Sequence, residues 1–177
     1  MNDMMVLIEP LIPGLRRYAR SLMRDQASAD DLVQDCLERA ITRWHQRRAD
    51  GGVRPWLFTI LHNLAINALR QRQRRGWTVD IDDVGDGTIA QRAMQEDDMR
   101  QRDIFNMVAQ LPEDHRSVLL LVTVEEFSYG EVARMLDIPI GTVMSRLSRA
   151  REKLRTIMEE SDTAAGGNQA SHLRRVK

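Results

Sequence analysis

Phe127-Ser128-Tyr129-Gly130-Glu131-Val132-Ala133-Arg134-Met135-Leu136-Asp137-Ile138-Pro139-Ile140-Gly141-Thr142-Val143-Met144-Ser145-Arg146-Leu147-Ser148-Arg149-Ala150-Arg151 reads as two helical patterns separated by a few turn residues. Ser128 followed three residues later by Glu131 has the form of a capping box, in which each side chain satisfies a backbone N–H at a helix start. This predicts a first helix over Tyr129 to Leu136. Asp137-Ile138-Pro139 interrupts it, because proline lacks the N–H and pushes the preceding residue out of the α region. A second helix restarts near Gly141-Thr142, with Val143, Leu147, Ala150 and Leu154 forming one apolar stripe. Its other faces carry Ser145, Arg146, Ser148, Arg149, Arg151, Lys153 and Arg155. The arrangement looks like a helix-turn-helix, whose second helix enters the major groove and reads base edges. An ordinary helical hairpin with a solvated basic face has the same pattern.

Working outward, the chain of 177 residues has room for one average domain or two small ones. Basic and acidic side chains both number 26, but they are segregated. Residues 1–75 hold 13 basic and 8 acidic side chains, whereas residues 76–103 hold 3 and 8. Local patches of this kind govern steering more than the zero net charge does. A single cysteine, Cys36, excludes an intrachain disulfide and suits a reducing compartment. No apolar run approaches the roughly 18 residues needed to span a membrane, and no secretion signal opens the chain. A cytoplasmic, all-α protein of two small helical domains is expected.

In the N-terminal part, Leu7, Leu11, Leu15, Ala19 and Leu22 predict an amphipathic helix, bent or begun at Pro13. Ser28 is a candidate N-cap for the next, whose stripe is Ala29, Leu32, Val33, Cys36, Leu37, Ala40, Ile41 and Trp44. Asp30, Asp31, Gln34, Asp35 and Glu38 form its polar face; acids in a first turn also complement the helix dipole, which would account for Asp30 and Asp31 with no partner. Cys36 lies on the buried stripe and reads as a small core residue.

A loop at Asp50-Gly51-Gly52 precedes a third helix containing Trp56, Leu57, Ile60, Leu61, Leu64, Ala65, Ala68 and Leu69 and ending in Arg70, Arg72, Arg74 and Arg75. Trp56 and Phe58 beside a loop, then Thr59, His62, Asn63 and Asn67, then the arginines, suggest a reader of single strands, with bases stacked on aromatics and phosphates held by cations. Trp56 in the core and a basic helix end against the dipole explain the same residues.

Residues 76–103 are acidic and lack apolar periodicity, as expected of a flexible linker and a domain boundary. Ile104, Val108 and Leu111 open a second helical domain over 104–160, with Pro112 before the apolar run Val118 to Val124. Residues 161–177 carry Gly166-Gly167 and no apolar pattern, and a disordered tail is expected. The four histidines and Cys36 have no zinc-ligand spacing, and neither a Gly-rich phosphate loop nor a nucleophile signature occurs. A non-catalytic protein without metal or cofactor is expected.

Ala29-Asp30-Asp31-Leu32-Val33-Gln34-Asp35, Trp56-Leu57-Phe58-Thr59-Ile60-Leu61-His62-Asn63, Leu111-Pro112 and Gly141 to Arg151 occur in an order that resembles the bacterial extracytoplasmic-function (ECF) sigma factors of the sigma-70 family, over about residues 5–158. That resemblance implies a σ2-like domain over 1–75 that docks on the β′ clamp helices of core RNA polymerase through Asp30, Asp31, Leu32, Gln34 and Asp35. It supersedes the dipole account of those acids. It further implies that Arg54, Asn63, Asn67, Arg70 and Arg74, with Arg72 and Arg75, engage the minus-ten element and a flipped base of the non-template strand. A σ4-like domain would sit on the β flap through Leu111 to Val124. Thr142, Met144, Ser145, Arg146, Ser148, Arg149 and Arg151 would then meet the minus-thirty-five major groove. Met144 stands where many relatives have a base-reading cation and Ser148 where a larger side chain is usual. An anti-sigma factor wedged against both domains is the expected regulator. A sigma-like decoy that only binds an anti-sigma factor and an autonomous dimeric repressor are the alternatives.

Overall fold

The computed structural model describes residues 2–23, 25–47, 51–74 and 104–170, and every regular element among them is helical. The expected acidic linker, Asp50, Arg75 and residues 171–177 lie outside the described residues.

Helix α1 (Asn2–Ile8) buries Met4 and Ile8 and stops at a 3₁₀ turn, Glu9–Leu11, that holds Pro10. Helix α2 (Ile12–Met23) takes Pro13 into its first turn, where a missing N–H costs nothing. The single expected helix is therefore two. Leu15, Tyr18, Ala19 and Leu22 are buried as the stripe requires, but Leu7, on the far side of the break, is 47% exposed.

Helix α3 (Gln26–Thr42) is capped by Asp25, whose side chain accepts from the Ser28 amide at 2.7 Å. Ser28, the expected cap, sits one turn inside, because the aspartate three residues earlier reaches that amide first. This moves Asp30 and Asp31 beyond the first turn, where the dipole field has largely faded. Ala29, Leu32, Val33, Cys36 and Ala40 are buried, whereas Ile41 is exposed. The helix ends before Trp44, which sits in a 3₁₀ turn (Trp44–Gln46) with its ring 6.0 Å from that of Trp56.

Gly52, at φ 69°, turns the chain into α4 (Val53–Arg74), which buries Leu57, Phe58, Leu61, Leu64 and Ala65. Its far end is stapled to the start of α3: Arg72 donates to the Asp25 carboxylate at 3.0 Å and to the Ser28 hydroxyl.

Residues 104–109 are helical, Leu111 is buried, and Pro112 leads into α5 (Glu113–Thr123). Ile104, expected at the start of the second core, is exposed. Helix α6 (Tyr129–Leu136) opens with the full Ser128–Glu131 capping box. Asp137, left-handed at φ 53°, ends it. Helix α7 (Ile140–Ala170) begins one residue before the expected restart, its first free amides at Thr142 and Val143 bonding the Pro139 carbonyl at 2.9 and 3.2 Å. It continues through Ala170, so residues 161–170 are helical where a disordered tail is expected. Extending an existing helix needs no new nucleus, which offsets the poor propensity of Gly166 and Gly167.

The two halves close on one another. Helix α2 packs on α5 and α4 on α6. The buried apolar residues of both halves form one continuous cluster.

Candidate nucleic-acid interface

On α7 the 3.6-residue period separates two duties. Val143, Leu147 and Ala150 are buried, while Met144, Ser145, Ser148, Arg149 and Arg151 face out. A shallow groove between α6 and α7 is lined by Tyr129, Met144, Ser148, Arg151 and Arg155. Met144, 54% exposed, adds an uncharged thioether to a lining whose cations are Arg151 and Arg155. Thr142 is half-buried, and its carbonyl accepts from the Ser145 hydroxyl at 3.1 Å. Arg146 differs from its neighbours: its guanidinium lies 3.2 Å from the Asp114 carboxylate at the start of α5. The expected residues thus share one surface, with Arg146 tied to its edge.

The α4 residues divide similarly. Asn63 and Asn67, one turn apart, are exposed together with Arg70 and Arg74. Arg72 is committed to Asp25 and Ser28 and reads as a structural staple, not as a phosphate contact. Phe58 is 1% exposed and packs edge-on against Phe127 at 5.1 Å, so stacking of a base on this ring is excluded in the closed arrangement. Trp56 is half-buried against Trp44.

Arg54, its side chain 38% exposed, is tied to the C-terminal half. It donates to the Glu125 carbonyl and, at 3.4 Å, to that residue's carboxylate, and its guanidinium lies 4.1 Å from the centre of the Phe127 ring. Arg17 grips the other carboxylate oxygen through Nε at 2.9 Å and Nη2 at 2.8 Å. Glu125 is missing from the sequence reading. A glutamate in a short connection resembles any solvated loop acid, and only the tertiary approach of α2 and α4 reveals it as buried.

On α3, Asp31, Gln34, Asp35 and Glu38 are exposed, and Gln34 donates to Glu38 at 3.1 Å. Asp30 is half-buried, 3.8 Å from Arg20. Leu32, also named with the docking residues, is buried as its place on the apolar stripe requires and lies beneath the acidic face. Burial pushes the Cys36 thiol up to about 12, and its sulfur lies 3.5 Å from the Leu57 carbonyl, so a neutral, inert core thiol results. Among the described residues no group of acids, histidines and cysteine could hold a metal, and no helix is long and apolar enough to cross a membrane.

Comparison with known proteins resolves these surfaces into two matched regions. A model of the Sigma2 domain of PhyR matches residues 8–62, and one of Sigma-70 region 4 matches residues 101–154. The chain is 34% identical over 147 residues to the ECF RNA polymerase sigma factor EcfG of Rhodopseudomonas palustris, covering 83% of this chain and 80% of that one. It is 32% identical over 135 residues to the ECF RNA polymerase sigma-E factor of Escherichia coli K12, covering 70% of each. Among solved structures, the sigma factor RpoE of Bartonella quintana, crystallised with the anti-sigma factor NepR, matches with a TM-score of 0.75 and 28% identity over 90% of this chain and 98% of that one. CnrH, solved with the cytosolic domain of CnrY, shares the fold with a TM-score of 0.69 and 23% identity, covering 90% and 89%.

Proposed function

The chain belongs to the ECF RNA polymerase sigma factors, and we propose that it binds core RNA polymerase and directs promoter recognition through the three surfaces just described. The observation that carries this is the exposure of Ser145, Ser148, Arg149 and Arg151 on one face of α7, whose opposite face is locked in the core by Val143, Leu147 and Ala150. A helix so anchored presents hydrogen-bond donors and cations to a major groove at a fixed angle.

Each surface then has its own task. Thr142, Met144, Ser145, Ser148, Arg149 and Arg151 meet the minus-thirty-five element. Two residues without charge, Met144 and Ser148, narrow the direct readout to fewer base edges than an all-basic face would have. Asn63 and Asn67, each with an amide carrying donors and an acceptor, suit a flipped minus-ten base, with Arg70 and Arg74 on the flanking phosphates. Asp31, Gln34 and Asp35 dock on core polymerase at the β′ clamp helices, and the region from Leu111 to Val124 sits on the β flap. Neither half has enough positive charge for tight DNA binding, residues 1–75 holding 13 basic and 8 acidic side chains and residues 104–160 holding 7 and 9. This supports the division, because each neutralised phosphate adds only an increment of affinity and the polymerase supplies the rest. The chain itself is a non-catalytic specificity subunit, cytoplasmic like the polymerase it serves. The match to RpoE, solved with the anti-sigma factor NepR, supports control by a partner of that kind.

Run-off transcription with purified core polymerase on a genomic promoter pool tests the reading. Discrete new transcripts sharing an upstream motif are expected. Their absence, from a folded protein that still captures an anti-sigma partner, would leave a decoy. Within that assay Asp31→Ala should weaken core binding, and Asn63→Ala should impair open-complex formation more than closed binding. Wild-type core affinity for the first, or equal loss at both steps for the second, would remove those assignments.

A further inference from the structure

We propose that Glu125 is an internal latch, whose carboxylate, gripped by Arg17 and Arg54, holds the C-terminal half closed over the N-terminal half and keeps Arg54 from DNA. The inference rests on the sigma-factor reading and on the family resemblance that puts Arg54 at the minus-ten element.

Glu125 is only 2% exposed, and both of its cations come from the other half of the chain. Arg17 projects from α2 and takes Oε1 at 2.8 Å; Arg54 projects from α4 and takes Oε2 at 3.4 Å together with the Glu125 carbonyl. A carboxylate removed from water is stable only while such partners remain, so loss of either leaves a buried charge uncompensated. The carboxylate is thus a charged lock set beside the apolar packing that joins the two halves.

Local structure delivers Glu125 into place. The chain leaves α5 with Glu126 left-handed at φ 54°, a conformation that L-residues other than glycine adopt at a cost. Phe127 turns inward, its amide bonding the Leu121 carbonyl at 3.0 Å and its ring meeting Phe58. Opposite, Gly14 leaves the gap the carboxylate fills: a Cβ there would stand 3.0 Å from Oε2 of Glu125 and 3.4 Å from the Phe58 ring.

The chemistry makes closure and DNA binding compete. A guanidinium recognises carboxylate and phosphate with the same donor fork, and one fork cannot hold both. While Glu125 engages Arg54, the donors of that partly exposed guanidinium are turned to the carboxylate and carbonyl, and Phe58 and Phe127 cover each other, so the ring is closed to a strand. Opening exchanges the carboxylate for a phosphate. An equilibrium between two such states is shifted by whichever partner binds one of them better.

Energy transfer between dyes on the full-length chain, at Gln26→Cys and Lys153→Cys, reads the opening. The buried, protonated Cys36 stays unlabelled. Glu125→Gln should lower the transfer, and Arg17→Gln, acting from the half-exposed side of the latch, should do the same without threatening the core. The double variant should open no further than Glu125→Gln alone, because that change already removes the pair that Arg17→Gln breaks. On a mixed-sequence fork DNA with a single-stranded non-template segment, Glu125→Gln should bind about tenfold tighter than the wild type, within the usual range of such coupling. Adding Arg54→Ala should abolish that gain. Wild-type transfer in both single variants, each with unchanged far-UV circular dichroism, overturns the latch. If the variants open but Arg54→Ala leaves the gain intact, the latch stands and the assignment of Arg54 to DNA falls.

Discussion

The Tyr18 hydroxyl lies 3.0 Å from Nδ1 of His62, joining α2 to α4 beneath the seam between the two halves. Burial raises the tyrosine pKa, so the hydroxyl keeps its proton and shares a hydrogen bond with a neutral ring. Burial, with the Arg70 charge adding to it, pulls the imidazole down from 6.5 to about 4. Between these values the unfolded chain takes up a proton that the folded one refuses. Stability should therefore be full above about pH 6.5, fall as the pH drops towards 4, and lose nothing further to this group below that. The whole effect is on the order of 3 kcal/mol. Urea unfolding between pH 7 and 4.5 measures it against His62→Gln, which should flatten this part of the profile. Identical slopes for the two proteins would show that His62 titrates freely in the fold.

The capping box of α6 makes a second prediction. Ser128 accepts from the Glu131 amide at 3.3 Å, and the Glu131 carboxylate accepts from the Ser128 amide at 2.9 Å and from its hydroxyl at 2.7 Å. The serine's hydroxyl, then its amide, hold the Glu131 carboxyl below its usual range. A lowered carboxylate pKa stabilises the fold above the unfolded value of 4.5 and ceases to do so as the pH falls through the folded value. Ser128→Ala should cost about 1 kcal/mol at neutral pH, and less once Glu131 is protonated. A cost independent of pH would mean that the two halves of the box act separately.

How far the sequence could be read depends on the range of the interaction involved. The α6–α7 unit was legible because capping boxes, proline breaks and 3.6-residue stripes are local, and Ser128, Asp137, Val143 and Leu147 lie where they place them. Asp25 was missed as a cap because Ser28 three residues on is an equally good local signal; only the geometry shows which side chain reaches the amide. Tertiary facts escaped altogether. Phe58 reads as an aromatic beside a loop and proves to be core, because its partner Phe127 is remote in sequence. Arg72 reads as one of a cationic run and proves to be a staple, because Asp25 and Ser28 meet it through folding. Leu32 reads both as part of the apolar stripe and as part of a docking motif, and its burial bears out the stripe.

Asp137, at φ 53°, adopts the left-handed conformation at the end of α6, and its amide bonds the Ala133 carbonyl. An aspartate tolerates this geometry less well than glycine, which has no Cβ to clash with the following carbonyl. Asp137→Gly should raise stability by up to about 1 kcal/mol, an increment reduced by the greater entropy of the unfolded glycine chain. Thermal melts decide it; a lower Tm would show that the aspartate carboxylate holds the turn through a stronger interaction than its backbone costs.

The contrast between Arg146 and Arg149 sharpens the test of the DNA face. Arg149 stands exposed on α7, whereas Arg146 is half-buried and 3.2 Å from Asp114. A contact by Arg149 is added to nothing, so Arg149→Ala should weaken minus-thirty-five binding by roughly 1–3 kcal/mol. Arg146 must first leave Asp114, a partly exposed pair worth about 0–1 kcal/mol. Its own alanine variant should then lose less affinity by about that margin, and Asp114→Ala should tighten binding slightly by releasing the guanidinium. Competition assays with holoenzyme on one promoter, at one salt concentration, rank the three variants. If Arg146→Ala proves the more damaging and Asp114→Ala weakens binding, the pair acts as a unit that orients Arg146 on the groove, and the lone cation is the lesser contact.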